Sequence, residues 1–188
     1  ARSGLLLINL GTPAAPTTAA VRRYLAEFLH DRRVVELTRW LWCPILHGVI
    51  LRIRPRRSAK LYQQVWQATG SPLLIFSQQQ QQALAARLQQ PTQPDVPVVL
   101  AMRYGEPSIA QGLQQLREQG VHKVVVLPLY PQYAASTTAS CFDAVSKVLR
   151  GWRWLPELHF LSDYHQHPLY IRALANSIRS HCQHHGQP

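Results

Sequence analysis

The chain has 188 residues, 46% hydrophobic and 15% charged, a balance that builds a packed core and excludes a disordered tail protein. Twenty Lys and Arg against nine Asp and Glu give +11, which favours acidic partners (phosphates, ligand carboxylates, anionic lipid, nucleic acid) without choosing among them. Cys43, Cys141 and Cys182 are far apart and form no C-x-x-C pair, which argues against a disulfide framework or a zinc knuckle and fits a reducing cytoplasm.

The length suits one domain, at roughly 150 residues per domain. The opening ARSGLLLINLGTPAAP lacks the basic n-region and longer apolar h-segment of a signal peptide. No stretch reaches the roughly 18 apolar residues that span a bilayer, so a soluble protein is expected, with peripheral membrane contact left open.

In chain order, the first strand is predicted over Gly4 to Leu10, followed by a helix over Thr17 to Leu29 that starts from the Thr17 hydroxyl. Residues 30–95 form an insertion too long for a simple crossover. Within it, VVELTRWLWCPILHGVILRI is an apolar flap and RIRPRR (52–57) a basic turn. SAKLYQQVWQA reads as a short helix, and SQQQQQALAARLQQ as a helix with Ser77 and Gln80 as a capping box. The five consecutive glutamines read as a solvated helix face. Further strands are expected at Pro97 to Arg103, Lys123 to Leu129 and Glu157 to Leu161. Helices are expected at Ser108 to Glu118, stopped by Gly120, at Thr138 to Leu149 and at Pro168 to His181. Continuous runs such as LLLIN and VVVL fit strands buried on both faces. The fold class is therefore α/β, three layers with a four-stranded parallel sheet flanked by helices, of the Rossmann or flavodoxin kind. The pattern demands another strand after SHCQHHGQP, so the chain reads as cut at a domain boundary or inside a longer fold.

Ligands of open parallel sheets bind outside the carboxyl ends of the strands. Those ends read NLGTP, MRYGEP, PLYPQYAASTT and SDYHQHP, which gathers Arg103, Tyr104, Tyr130, Tyr133, Ser136 and Asp163 beside Asn9 and Thr12. Each has a plainer reading. Gly11 serves a tight turn or a ligand's approach; Tyr130 or Tyr133 caps the core; one hydroxyl of Ser136, Thr137 and Thr138 caps the next helix. Arg103 follows the buried run VVLAM and needs an anionic partner, from the protein or from a ligand. Trp40, Trp42 and their apolar neighbours are core or the wall of a flat cleft, and the arginines of RIRPRR are solvated or bind carboxylate, lipid headgroup or nucleic acid. There is no G-x-G-x-x-G after the first strand, no P-loop and no G-x-S-x-G. His165 and His167 read as surface residues and HCQHH as a frayed basic terminus.

Five blocks, LLLINLGTP, YLAEFLHDRRVVEL, KLYQQVWQATGSPLLIFSQQQ, MRYGEPSI and LPLYPQYAASTT, together resemble the ferrochelatase family in its bacterial form and in the family's order. The resemblance implies a chelatase-like domain, one of two similar α/β domains with a porphyrin cleft between them, and the N-terminal one. It implies insertion of Fe²⁺ into protoporphyrin IX with release of two pyrrole protons. It assigns porphyrin contacts to Leu10, Leu25, Phe28, Arg54, Tyr62, Ser71, Arg103, Tyr104, Tyr130 and Ser136. The family's animal members use a cysteine as an iron–sulfur ligand where this chain has Ala135, so no cluster is expected from this half, nor any tightly bound cofactor. The family's metal-handling histidine lies in an S-x-H-x-x-P segment followed by a partner glutamate. Both are expected beyond Pro188, so no catalytic or metal-ligating residue is assigned within these 188 residues. The implied partners are the C-terminal half and porphyrin rather than nucleic acid. The cysteines point to the cytoplasm, and the apolar flap with RIRPRR leaves peripheral contact with the anionic inner face of the membrane as an open alternative. The alternative of a different class is a non-catalytic basic module for phosphorylated ligands or nucleic acid.

Overall fold

A computed structural model describes residues 2–89 and 95–186. Gln90 of the Gln-rich segment and Pro188 lie outside the described residues. The elements are β1 (Arg2–Gly11), α1 (Thr18–Leu29), α2 (Arg39–Ile45), a π-helical turn (Leu46–Ile50), α3 (Leu51–Val65), α4 (Pro72–Leu88) and β2 (Val98–Tyr104). There follow α5 (Ile109–Glu118), β3 (Val121–Pro128), a second π-helical turn (Ala135–Ala139), α6 (Ser140–Leu149), β4 (Glu157–Phe160) and α7 (Pro168–His185).

The strands form one parallel sheet in the order β2-β1-β3-β4. Their alternation sorts side chains into two apolar layers. On one face Leu6, Ile8, Val99, Ala101, Val124 and Val126 pack with Leu113 and Leu116 of α5 and Val145 and Leu149 of α6. On the other, Leu7, Val98, Leu100 and Met102 pack with Leu74, Leu84 and Leu88 of α4. Burial of each such Leu, Ile or Val contributes about 2 kcal/mol, so the three layers follow from the strand pattern itself. Gly112 of α5 lets that helix lie close to the sheet, since a Cβ there would stand 2.9 Å from a Leu6 methyl.

Two of the expected helix starts are present. Thr17 Oγ1 accepts from Ala20 N (3.3 Å), and Ser108 and Gln111 form a complete capping box at α5. The Ser77–Gln80 capping box is not formed. Helix α4 begins earlier, with Ser71 at its N-cap and Pro72 in its first turn, where a proline's missing N–H has no intrahelical acceptor to miss. Ser77 is instead buried inside α4, donating to Leu73 O (2.7 Å) and accepting from Asn9 Nδ2 (2.9 Å). Four of the five glutamines are exposed. Gln81 is not simply solvated, because its side chain donates to Val98 O on edge strand β2 (2.8 Å).

The RIRPRR segment is not a turn but the first half of α3, with Pro55 inside the helix. Proline at that position leaves the carbonyl four residues earlier without its helical donor. That carbonyl is Leu51 O, and Arg22 Nε of α1 donates to it (3.0 Å). A side chain of the helix packed alongside thus replaces the missing backbone bond, which is why the helix tolerates the proline. Trp42 similarly ties α2 to the end of α1, its buried indole donating to Leu29 O (2.8 Å), whereas Trp40 is 75% exposed.

Candidate functional site

The chain runs from β1 to β2 on one side of β1 and returns to β3 on the other, so the strand order reverses between β1 and β3. In open parallel sheets such a switch point opens a crevice at the strand carboxyl ends. It is flanked by Leu10 and Gly11 at the end of β1 and by Leu129 and Tyr130 just after β3, joined at its base by Leu129 N donating to Ile8 O (2.7 Å). Gly11 answers a steric demand from the protein's own backbone. Its φ is +109°, and a Cβ there would fall 1.8 Å from the carbonyl oxygen of Tyr104.

Beside the crevice lies a polar knot. Asp31, just past α1, accepts from Arg103 Nη2 (2.5 Å), the Tyr104 hydroxyl (2.7 Å) and the Ser140 hydroxyl (2.5 Å) on one oxygen, and from Arg33 N (2.7 Å) on the other. Arg103 Nε also donates to Ser140 O (3.0 Å) and Oγ (2.6 Å), and its guanidinium lies 4.4 Å over the Tyr104 ring. The Arg103 and Asp31 side chains are only 17% and 7% exposed. Desolvation by burial alone would raise the Asp31 pKa. The donors Ser140, Tyr104 and Arg33 N, with the Arg103 charge, outweigh it and hold the carboxyl below its usual value. Burial pushes the Tyr104 hydroxyl up and so keeps it a neutral donor. Cys141 next door is fully buried, its thiol pushed up to about 12 by desolvation, and is an inert core residue.

The sequence-predicted residues are spread over several places in the fold. Leu10, Leu25, Phe28, Tyr62 and Tyr104 belong to a single apolar cluster around α1, α3 and the end of the sheet. The Phe28 ring meets Tyr104 edge-on at 5.1 Å, and Tyr62 meets Trp66 edge-on at 6.2 Å. Within that cluster Leu25 is buried and Tyr104 has no exposed surface, while Leu10, Phe28 and Tyr62 are half-buried. Arg103 belongs to the knot, where Asp31 supplies its anionic partner. Tyr130 packs against the cluster on the α5/α6 side, its hydroxyl buried and without a hydrogen bond among the described residues. Ser136 is exposed on the second π-helical turn, Arg54 is exposed on α3, and Ser71 is buried at the start of α4.

Other strand-end residues play different parts. No hydroxyl of Ser136, Thr137 or Thr138 caps a helix start. Ala134 occupies that position, Thr137 Oγ1 donates back to Ala134 O (3.3 Å), and Thr138 is buried. The tighter demand of a wide π turn, which places Ala139 N near Ala134 O, displaces the ordinary cap. Tyr133 is exposed and, with Arg33, Thr138, Phe142 and Phe160, lines a cavity of about 390 Å³. Asp163 Oδ1 lies 3.3 Å from His165 Nδ1, and His167 caps α7 by accepting from Leu169 N (3.3 Å). Asp31 and Ser140 escaped the sequence reading. The available signal was the demand of Arg103 for an anion in a chain with only nine carboxylate side chains.

Along the outer face of α2, the π-helical turn and α3 run Leu41, Ile45, Val49 and Ile53, each about half exposed or more. A spacing of four drifts around an α-helix, and the wider π turn corrects the drift, so the four form one continuous apolar stripe. Arg52, Arg54, Arg56 and Arg57 are exposed on the same helix.

The family model described as Ferrochelatase matches residues 2–188. Proteins named ferrochelatase from Vibrio cholerae and Aeromonas hydrophila are each 55% identical, over 98% and 99% of this chain and 56% and 57% of their own lengths. One from Yersinia pestis is 54% identical over the whole of this chain and 57% of its own length. The chain therefore spans a little over half the length of these relatives. With the four-stranded parallel sheet and its switch-point crevice, these matches show that the chain belongs to the ferrochelatase family.

Proposed function

We propose that this chain supplies the porphyrin-cleft half of a protoporphyrin ferrochelatase, the whole protein inserting Fe²⁺ into protoporphyrin IX to make protohaem. The observation that carries this reading is the switch-point crevice flanked by Leu10 and Tyr130, with an apolar stripe and exposed arginines beside it, in a member of that family. A porphyrin is a flat apolar disc with two carboxylates, and its site needs an apolar slot with cationic or hydroxyl groups at the rim. Leu10, Phe28 and Tyr62 provide the slot, Leu25 backs it, and Arg54 and Ser136 provide rim groups. Tyr130 offers a hydroxyl without a hydrogen-bond partner among the described residues.

Arg103 and Tyr104 act on the slot through position. Asp31 holds both, and Tyr104 in turn carries the edge of Phe28. Ser71 acts from beneath the surface at the start of α4. Rigid groups around the disc favour a bent macrocycle whose nitrogens face an incoming metal ion. The base that takes the pyrrole protons and the residues that handle Fe²⁺ are assigned to the remainder of the protein, which we place against the exposed apolar side chains Leu169, Ile171, Leu174 and Ile178 of α7. With Ala135 at the position of the animal enzymes' cluster ligand, this half contributes no iron–sulfur ligand there.

The reading is tested by assaying Fe²⁺ insertion with the 188-residue chain and with a protein extended to the length of its relatives. Turnover only by the longer protein is expected. Robust turnover by the short chain would overturn the assignment of chemistry to the other half, and none by either would overturn the function.

A second reading concerns location, in the cytoplasm and against the inner face of the membrane. Among the described residues no helix is long and apolar enough to cross a membrane. The stripe from Leu41 to Ile53 beside Arg52, Arg54, Arg56 and Arg57 is the pattern of a helix lying on an anionic surface, where porphyrins also partition. Flotation with anionic liposomes at low salt tests it; failure to float removes it. Indifference to nucleic acid in the same buffers is expected, against the alternative of a basic nucleic-acid module.

A further inference from the structure

Away from the strand-end crevice, two imidazoles converge on one point. His30 closes the C-terminal end of α1 and His47 lies in the first π-helical turn; their rings are 5.0 Å apart, tilted by 55°. The two Nε2 atoms are 3.2 Å apart. His30 Nδ1 lies 2.6 Å from Ala26 O. A carbonyl oxygen only accepts, so Nδ1 carries the proton, and in the neutral ring Nε2 presents its lone pair toward His47.

We propose that His30 and His47 together form a binding site for a divalent transition-metal ion that favours imidazole. Two nitrogens bound to one tetrahedral ion at 2.0–2.1 Å are about 3.3 Å apart, close to the separation already present. The Nδ1–H to carbonyl bond is the outer contact that commonly fixes a metal-binding histidine in its tautomer. Without an ion, His47 Nε2–H donates to His30; with one, the neutral His47 ring moves its single hydrogen from Nε2 to Nδ1 through solvent, so that both Nε2 lone pairs face the ion.

Among the described residues no third His, Cys, Asp or Glu completes the set, so water fills the remaining positions and binding is weaker than at a four-ligand site. The site also faces an opposing charge, since Arg39 donates to the His30 carbonyl. Both facts select ions that bind neutral nitrogen strongly, Zn²⁺, Ni²⁺ or Cu²⁺, over Mg²⁺ and Ca²⁺. A bound ion would staple the end of α1 to the π turn that leads into α3. The proposal does not depend on the porphyrin reading.

The test is titration of the chain with Zn²⁺ or Ni²⁺ alone, by calorimetry and by nitrogen-detected NMR of the histidine rings. Helix α7 carries a second pair, His181 and His185, with rings 4.5 Å apart, so the titration is done in a His181→Ala/His185→Ala background. One site is expected there, weakened at least tenfold by His30→Ala and equally by His47→Ala, with the Nε2 resonances of both rings moving together. Both residues are exposed, so the substitutions leave the fold intact. No binding in that background, sensitivity to only one substitution, or movement of only one ring in the unsubstituted chain overturns the proposal.

Discussion

Arg103 Nη2 stands 2.5 Å from Asp31 Oδ2 although 72 positions separate the two residues in the chain. This pair locks the carboxyl end of β2 to the segment that follows α1, and two hydroxyls share the same carboxylate oxygen. Asp31→Ala removes the only carboxylate bonded to Arg103 among the described residues. We expect a loss of about 3 kcal/mol, seen as a melting temperature roughly 8 °C lower. Arg103→Met combined with Asp31→Ala should be less destabilised than the sum of the single changes, since no charge is then left unpaired.

The same pair sets a pH dependence. The Asp31 carboxyl is held below its ordinary 3.8 in the folded chain, so its contribution is fully present above that value and is lost as pH falls through the folded pKa. Urea midpoints of the native chain and of Asp31→Asn should be well separated at neutral pH and converge as the pH falls below 3.8. A gap that widens on acidification would contradict the assignment.

Gly11→Ala should be the most damaging single methyl in the molecule. It combines a positive φ with a Cβ inside the Tyr104 carbonyl, so β1 and β2 must separate where the crevice begins. A loss of at least about 3 kcal/mol in urea denaturation is expected, whereas Gly120→Ala, also at positive φ but with open space around it, should cost about 1 kcal/mol.

Arg22 and Pro55 act on the same carbonyl, Leu51 O, so their substitutions should couple. Arg22→Met leaves Leu51 O without its donor and should cost about 1 kcal/mol. In a Pro55→Ala background the restored N–H reaches that carbonyl, and Arg22→Met should then cost close to nothing. A double-mutant cycle on denaturation midpoints measures this; additive effects would refute the replacement.

Tyr130→Phe separates folding from binding by sign. Removing a buried hydroxyl that makes no hydrogen bond among the described residues should leave the unliganded chain unchanged or slightly more stable. In the full-length protein the same change should weaken porphyrin binding severalfold if that hydroxyl meets the ligand, measured by fluorescence quenching.

The strands and the sheet-covering helices were legible because LLLIN, VVLAM and VVVL announce strands buried on both faces, and Thr17 and Ser108 announce helix starts. RIRPRR reads locally as a basic turn, yet it lies inside α3, where Arg22, 29 residues before Leu51, supplies the donor that Pro55 lacks. Ser77 was misread because two starts competed, and Pro72 outweighed the Ser-to-Gln pattern. Asp31 lies within YLAEFLHDRRVVEL, but nothing around it in the chain shows that its oxygens serve groups 72, 73 and 109 residues further on. Local rules see caps and runs; the polar knot is a product of topology.

The central position of β1 also dictates a timetable. Leu5 pairs with Val98 on one side and Val125 on the other, so neither neighbour of the central strand is nearby in the chain. Loop closure of that length is slow, whereas α1 and α3 can nucleate from shorter-range contacts. The crevice between β1 and β3 is therefore among the last features to exist during folding, and until β3 arrives the LLLIN strand is an exposed apolar edge. For this chain the interval between helix formation and strand docking is the period of greatest risk of self-association.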